Sequence, residues 1–250
     1  MDDLRKQNEK RFHDETFASN SRSDLGRFYS IVAPSRDYFQ ERVLGGCKGL
    51  AVLEYGCGPG THSFQLAQHG ARSVAGVDIS PVAIRQATDR AKSQQNRNLQ
   101  FAVGDAEYLP FKSRLFDLVS GTAILHHLDM ERSLTEIARV LKTDGMAAFI
   151  EPLDYNPAIK LFRHFTPQHR TVDEHPLKLH DLRLIRRKFK IVNFRYFHLT
   201  TLALIPFAKT TNFAALVRFF AAFDQVLFKI LPFTRLLAWQ VVMFVEQPVE

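Results

Sequence analysis

Three glycines at alternating positions follow a short apolar run in the segment LEYGCGPGTHSF; they are Gly56, Gly58 and Gly60. Glycine adopts positive φ angles without strain and lets the backbone approach a ligand closely. A helical pattern begins directly after this loop, and the free N–H groups at the start of a helix bind polar or anionic groups. Glu54, two residues before the first glycine, is an acid that suits a ligand with an ammonium or sulfonium charge. The spacing therefore predicts a ligand-binding loop.

Acidic residues end the next two apolar runs. Asp78 closes the run in VAGVDIS, and Asp105 follows the run that ends in VGDA. In nucleotide-binding parallel sheets, a carboxylate at the end of the second strand accepts the hydroxyl groups of an adenosine ribose. A dinucleotide-binding loop has the pattern GxGxxG, but Thr61 stands at the position of its third glycine and the pattern here is GxGxG. The loop therefore disfavours a dinucleotide.

Short apolar runs alternate with longer helical patterns between residues 50 and 151, which is typical of βα units and a parallel sheet. A helix is expected at 81–94, with Ser80 as its N-cap and Pro81 at its first position. Another is expected at 130–141, followed by a turn in which Gly145 takes a positive φ. The predicted strands are 50–55, 73–78, 99–103, 115–121 and 146–151.

We expect the segments before and after this core to be additions to one domain that spans 1–250. We expect two N-terminal helices to cover the sheet edge or a cleft, and a variable cap to follow the core and end in a basic helix. Two final strands would form a hairpin with a long Phe-rich helical insertion. The predicted segments are 1–45 (helical cover), 46–151 (cofactor-binding core), 152–189 (cap, with its helix at 177–188) and 190–250 (strands at 190–199 and 239–246, insertion at 201–237).

The composition is that of a globular protein: 250 residues, a net charge of +7, 46% hydrophobic residues and 22 Phe, which excludes intrinsic disorder. Cys47 and Cys57 are too few for a disulfide framework, so a reducing compartment is expected. The start, MDDLRKQNEKRFHDE, lacks the apolar core of an export signal. Charged residues interrupt the apolar segment 213–230, so we expect no membrane-spanning helix. Two locations stay open, the cytoplasm and the surface of a membrane.

Five motifs occur in order between residues 50 and 151: LEYGCGPG, VAGVDIS, GDAEYLPF, FDLVSGTAILHHL and EIARVLKTDG. In sequence and spacing they resemble class I S-adenosylmethionine-dependent methyltransferases, specifically the broad small-molecule (methyltransferase type 11-like) group. The resemblance implies an α/β fold with a Rossmann-like, seven-stranded, mostly parallel sheet. It also implies a terminal antiparallel strand, helices on both faces and S-adenosyl-L-methionine as the cofactor.

The resemblance also implies roles for individual residues. Glu54 and the glycine loop would hold the methionine part, Asp78 the ribose, and Ile79 one face of the adenine. Two alternatives stay open: Glu54 could only cap the neighbouring helix, and Ile79 could be a core residue. The complete set of implied cofactor contacts is Glu54, Gly56, Cys57, Gly58, Gly60, Asp78, Ile79, Asp105, Ala106, Thr122 and His127.

Methyl transfer from a sulfonium is a direct displacement, so the protein mainly aligns the reacting atoms. A hydroxyl or an acidic carbon also needs a base. The candidate catalytic residues at the carboxyl edge of the sheet are His126, His127 and Glu151, and the candidate acceptor contacts are Tyr29, Tyr155 and His164. The histidines at 164, 169, 175 and 180 match no zinc spacing, so no metal is expected.

A small molecule is the favoured acceptor. The amino-methyltransferases of nucleic-acid bases carry Asn or Asp followed by Pro-Pro and an aromatic residue where this chain has GTAI at 121–124, so no nucleic-acid partner is expected. The Phe-rich insertion could be plain packing, a lid or apolar wall, a membrane contact or a dimer face, and the oligomeric state stays open.

We expect methylation of an oxygen, less so of a nitrogen or carbon, on an apolar or amphiphilic metabolite. The alternatives are a lipid or quinone methyltransferase at a membrane surface and a cofactor-binding partner subunit without catalysis.

Overall fold

A computed structural model describes residues 2–19, 26, 28–171 and 173–249. The helices are α1 (Asp2–Ser19), α2 (Ala33–Gly46), α3 (Thr61–Gln68), α4 (Pro81–Ser93), α5 (Met130–Val140), α6 (Pro157–Phe165), α7 (Leu179–Lys188) and α8 (Phe213–Ile230). The strands are β1 (Ala51–Tyr55), β2 (Ser73–Asp78), β3 (Leu99–Val103), β4 (Phe116–Thr122), β5 (Leu141–Pro152), β6 (Phe189–Phe197) and β7 (Gln240–Pro248). Short 3-10 helices include Leu125–His127, Thr200–Phe207 and Pro232–Leu237.

The strands form one seven-stranded sheet in the order β3-β2-β1-β4-β5-β7-β6. The first five strands pair in parallel, and β7 pairs antiparallel with both β5 and β6. The predicted α/β fold with a mostly parallel seven-stranded sheet is confirmed. After β3, at one edge of the sheet, the chain returns to the middle and places β4 on the other side of β1. The carboxyl ends of β1 and β4 therefore border a crevice, which is where ligands bind in such sheets.

Helices cover both faces of the sheet, and neighbouring residues of one strand belong to different cores. Val52 packs with Phe39 of α2 and Phe64 of α3, whereas Leu53 packs in the cluster that contains Leu134 of α5 and Ile185 of α7. Side chains of a strand alternate between the two faces, so a strand covered on both sides needs a continuous apolar run. Every residue of β1 is buried, and this explains why its sequence, AVLEY, does not alternate with exposed polar residues.

The start of α4 agrees with its prediction: the Ser80 side chain accepts a hydrogen bond from the Ala83 N–H at 3.1 Å, and Pro81 is the first residue of the helix. Helix α5 ends at Val140, close to its predicted end, but the turn predicted after it is wrong. Strand β5 begins at Leu141, directly after the helix, and Gly145 lies within the strand without a positive φ. A shift in the pairing of β4 with β5, between Phe116 and Leu118, accommodates the extra residues in place of a turn.

The Phe-rich insertion is helical, as predicted, and consists of a 3-10 helix, α8 and a second 3-10 helix. Val217 of α8 and Leu204 pack with Ile31, Ile159 and Trp239 in a third apolar cluster. Among the helices of the described ranges, none combines the length and apolar content that crossing a bilayer would require.

Candidate active site

The glycine loop connects β1 to α3 at the carboxyl edge of the sheet. Gly56, Gly58 and Gly60 have φ angles of 73°, 50° and 77°, in the left-handed region that favours glycine. A Cβ atom on Gly58 would lie 3.1 Å from the ring of Phe17, so the loop backbone and α1 are in close contact. The predicted need for glycine at these positions therefore agrees with the geometry.

Glu54 is buried beneath this loop. Its carboxylate accepts a short hydrogen bond from the hydroxyl of Ser63, in the first turn of α3. Burial raises the pKa of Glu54 to about 8, because this hydroxyl and a backbone N–H only partly replace the lost water. Glu54 thus contacts the start of the helix and also lines a cavity, here called the loop cavity, together with Cys57, Thr61, His62 and Thr122. Among the residues that the structure describes, no cation pairs with Glu54, and a buried carboxyl of this kind favours a ligand that carries positive charge.

Asp78 and Asp105 lie side by side at the ends of β2 and β3. The two carboxylate oxygens of Asp78 accept hydrogen bonds from the N–H groups of Gly58, at 2.7 Å, and Ser80, at 2.9 Å. Burial raises the pKa of Asp78 above its ordinary value. Asp105 forms an ion pair with Lys6 of α1 at 2.8 Å. Both acids line a second space, the inner cavity, with Gly56, Gly58, Ile79, Ala106, Thr122 and His127.

Helix α1 lies over the inner cavity. Lys6, Glu9, His13 and Phe17 line it from this side. The helix is attached by the Lys6–Asp105 ion pair and by a hydrogen bond of 2.5 Å from the Ser80 hydroxyl to the Asp14 carboxylate. The N-terminal segment therefore supplies side chains to the ligand edge.

His126 is held by Glu151, the last acid of β5. The His126 Nδ1 atom lies 2.6 Å from Glu151 Oε2, and Glu151 Oε1 accepts the N–H groups of Ile124 and Leu125, each at 2.9 Å. His126 Nε2 is 3.8 Å from the carboxylate of Glu174, which in turn binds Arg163. Burial, and then the neighbouring His127, lower the pKa of His126, so its imidazole is neutral at pH 7.

The His127 ring lies against that of His126, with centroids 4.2 Å apart and planes tilted by 37°, and faces α1. Its Nδ1 atom lies 3.1 Å from Glu9 Oε2, without the alignment of a hydrogen bond. His13 Nε2 approaches the same carboxylate at 3.5 Å. Burial opposes ionisation of Glu9, but the close approach of His127 and His13 outweighs burial and lowers the Glu9 pKa below its usual range.

Residues from distant parts of the chain line a third space, the outer cavity. Its walls are Tyr29, His126, Ile159, Phe162, Arg163, Arg170, Glu174 and Trp239, and it shares His13, Ala123 and His127 with the inner cavity. The structure therefore places His127 where the two spaces meet and His126 beside it, in the wall of the outer cavity. Sequence reasoning missed Glu9, His13, Arg163 and Glu174, since they belong to irregular or flanking segments without a recognisable spacing.

Three predicted site residues lie elsewhere than expected. The Tyr155 hydroxyl accepts the N–H of Leu179 at 2.9 Å and does not line the outer cavity. His164 is exposed on α6 beside Phe165 and is also outside that cavity. Glu151 is fully buried behind His126 instead of facing a cavity, so it is a positioning residue. Of the described residues of the Phe-rich insertion, none lines the outer cavity.

Two groups of side chains have the composition of a metal site. In each of them the potential ligand atoms lie within 4.8 Å of one another; the groups are Glu9, His13 and His127, and His126, His127 and Glu174. Their members come from widely separated segments, which is why the spacing of histidines along the chain gave no indication of them.

Comparison with known proteins identifies a matching domain in the middle of the chain. Residues 52–145 match the family model described as a methyltransferase domain. The match supports a class I S-adenosylmethionine-dependent methyltransferase domain in this part of the chain. The matched residues contain the glycine loop, Asp78, Asp105 and both histidines, so the predicted resemblance is confirmed. S-adenosylmethionine, the cofactor of this family, also fits the site, because the buried Glu54 can pair with its ammonium group.

Curated relatives include the demethylmenaquinone methyltransferase of Lactococcus lactis, 32% identical over 155 residues, which are 59% of this chain and 61% of that protein. The ubiquinone biosynthesis O-methyltransferase of Coxiella burnetii is 37% identical over 121 residues, 48% of this chain and 50% of that protein. The chain thus spans about half to three-fifths of the length of these relatives.

Solved structures with the same fold include the Haemonchus contortus phosphoethanolamine N-methyltransferase 2, with a TM-score of 0.63 and 18% identity, covering 94% of this chain and 60% of that one. The geranyl diphosphate C-methyltransferase of Streptomyces coelicolor has a TM-score of 0.61 and 14% identity, covering 86% of this chain and 78% of that one. At these identities the likeness concerns the fold of the methyltransferase domain alone.

Proposed function

We propose that this protein transfers a methyl group from S-adenosylmethionine to an oxygen of an apolar or amphiphilic small molecule, with His126 as the general base. The observation that carries the proposal is the contact of 2.6 Å between His126 Nδ1 and Glu151, at the wall of the outer cavity. The outer cavity meets the inner cavity at His127, so an acceptor in one would lie beside a cofactor in the other.

The hydrogen bonds around Glu151 define which nitrogen of His126 takes up a proton. Glu151 already accepts two backbone N–H groups and acts as an acceptor toward the ring, so His126 Nδ1 carries the hydrogen. His126 Nε2 is then the basic nitrogen. Glu174, 3.8 Å from it, would stabilise the imidazolium that forms. Burial opposes ionisation of Glu174, but the interaction with His126 and the hydrogen bond from Arg163 lower its pKa, so this carboxylate is ionised.

The bound cofactor supplies an electrophilic methyl group on a sulfonium. The chain supplies alignment: Asp78 and Glu54 fix the two ends of the cofactor, and His126 takes the hydroxyl proton of the acceptor. The walls of the outer cavity suit a ring with a polar substituent, because Ile159, Phe162 and Trp239 are apolar while Arg163 and Arg170 are cationic. The relatives named for demethylmenaquinone and for ubiquinone biosynthesis support a phenol or hydroquinone as the first acceptors to test.

The test is transfer of labelled methyl from S-adenosylmethionine to a panel of phenols, catechols and hydroquinones with chains of increasing length. We expect His126→Gln to lower kcat by about 10²- to 10⁴-fold, the usual contribution of a general base. Glu151→Gln should lower kcat less and shift the pH profile, because it changes the orientation and basicity of His126. His164→Gln is the matched control, since His164 is exposed and lies outside the outer cavity. Unchanged kcat in His126→Gln, with any accepted substrate, would remove His126 from the mechanism.

A further inference from the structure

Helix α8 and the 3-10 helix that follows it expose one continuous apolar surface, here called the apolar face. It consists of Phe219 (67% exposed), Phe223 (49%), Val226 (55%), Ile230 (69%) and Phe233 (67%). The first four recur at helical spacing and so form one stripe of α8. The opposite stripe of the helix, with Val217, Asp224 and Phe228, is buried against the protein. So many exposed large side chains on one surface indicate an interaction site.

The exposed charged residues of the segment that forms the apolar face have one sign. Residues 182–245, all of which the structure describes, contain ten Lys and Arg and a single acid, Asp224. Asp224 is fully buried and accepts hydrogen bonds from the N–H groups of Leu199 and Thr200 and from the Thr200 hydroxyl. The cations within residues 209–235 are exposed; they are Lys209, Arg218, Lys229 and Arg235.

We propose that the apolar face docks on the surface of a bilayer that contains anionic lipids. An amphipathic helix with large apolar residues on one side and cations at its borders lies in the interface of a membrane, where the cations meet lipid phosphates. A second copy of this chain is a poorer occupant. In a two-fold symmetric dimer the same surface contacts itself, so Arg218 and Lys229 would face like charges and no exposed acid of this segment would pair with them.

The docking surface is connected to the outer cavity through the third apolar cluster. Val217, on the buried side of α8, packs in the same cluster as Ile159 and Trp239, which line the outer cavity. Helix α6, which carries Ile159, also exposes Leu161 (59%) and Phe165 (71%). This step rests on the proposed function. With the apolar face on a bilayer, a lipophilic acceptor dissolved in the membrane would enter the outer cavity without crossing water.

The experiment is co-sedimentation of the full chain with vesicles of phosphatidylcholine alone or of phosphatidylcholine mixed with phosphatidylglycerol. We expect binding to the mixed vesicles that weakens with added salt, and much weaker binding to the neutral vesicles. The double variant Phe219→Ser with Phe223→Ser should bind the mixed vesicles at least about ten-fold less. Arg218→Gln and Lys229→Gln should each lower binding about five-fold, the usual contribution of one cation at such a surface.

The matched control is Leu115→Ser with Val249→Ser, which removes apolar side chains that are 42% and 44% exposed outside α8 and should bind like the unmodified protein. Equal binding by the Phe219/Phe223 variant would overturn the proposal. A second result would also overturn it: the unmodified protein is a dimer in sedimentation equilibrium, the Phe219/Phe223 variant is a monomer, and neither binds vesicles. The apolar face would then join two copies of the chain. Methyl transfer to a water-soluble acceptor without vesicle binding would refute docking alone. Vesicle binding without any transfer would refute the proposed function alone.

Discussion

The inner cavity and the outer cavity meet at His127, yet they are made from different kinds of structure. The inner cavity is formed mainly by strand ends and by the turns that follow β1 to β4, and backbone groups of Gly58 and Ser80 fix its key carboxylate. The outer cavity is formed by side chains from α6, from the segment before α7 and from the start of β7. The first depends on local βα geometry, whereas the second depends on which side chains distant segments bring together. Binding of the cofactor and recognition of the acceptor should therefore be separable by mutation.

The sharpest separation should come from Asp78→Asn. The substitution keeps the shape of the side chain but removes the negative charge that we expect to accept the ribose hydroxyls. Losing a charge-assisted hydrogen bond costs about 1.5–3 kcal/mol, so affinity for S-adenosylhomocysteine should fall roughly 10- to 100-fold. Calorimetry measures this affinity, and the KM of an accepted substrate at saturating cofactor should stay unchanged. Asp89→Asn on the exposed side of α4 is the control. A parallel rise in the acceptor KM would mean that the two cavities are not independent.

On the acceptor side, His198 should make stability depend on pH. It is fully buried behind the outer cavity, with Nε2 2.7 Å from the Ser35 hydroxyl, and burial lowers its pKa to about 3. In the unfolded chain the pKa of a histidine is near 6.5. Between about pH 6.5 and about pH 3 the unfolded state therefore binds more protons than the folded state, and the free energy of unfolding falls as the pH falls. Between pH 7 and pH 5 this histidine should cost about 2 kcal/mol of unfolding free energy.

Denaturant unfolding of the protein and of His198→Asn at both pH values isolates this contribution. Asn is suitable because His198 has a φ of 66°, which Asn tolerates better than most residues. The variant should be less stable at pH 7 but lose about 2 kcal/mol less on acidification. Identical losses in both proteins would show that another group causes the pH dependence.

The same contrast explains how much could be predicted from sequence. The ends of β2 and β3, the glycine loop and Asp78 were predicted because alternating apolar runs and helix signals are local. Glu9, Glu174 and Arg163 could not be predicted, since nothing in α1 or in the segment before α7 indicates that they meet His126 and His127. The error at Gly145 has a similar cause: pairing of β5 with β4 through a shifted register favours extended backbone where the local pattern favours a turn.

A smaller effect should come from Phe17→Ala, which tests whether α1 contributes to cofactor binding. Phe17 lines both the inner cavity and the loop cavity and contacts the loop at Gly58. Removing part of an apolar cover should weaken S-adenosylhomocysteine binding about ten-fold. Phe12→Ala changes the same helix at a residue that lines neither cavity and should have no such effect. Tighter binding in Phe17→Ala would mean that this ring occupies the space of the cofactor and must move aside.

The smallest effect concerns the proton on Glu54. Because burial raises its pKa to about 8, most of this carboxyl is protonated at pH 7 in the cofactor-free protein. An ammonium group favours the ionised carboxylate, so binding of S-adenosylhomocysteine should release a proton at pH 7 and less of one above pH 8. The affinity should therefore rise about five-fold from pH 7 to pH 8 and level off beyond it.

Calorimetry at pH 7 in two buffers with different ionisation enthalpies measures the released proton directly. Glu54→Gln is close to isosteric and cannot release a proton, so its binding heat should not depend on the buffer. Its affinity should be lower and nearly constant between pH 7 and pH 8. A buffer-independent heat in the unmodified protein would mean that Glu54 does not change its ionisation when the cofactor binds. Glu54 would then only hydrogen-bond to Ser63 in the first turn of α3, and other residues of the loop cavity would hold the positive end of the cofactor.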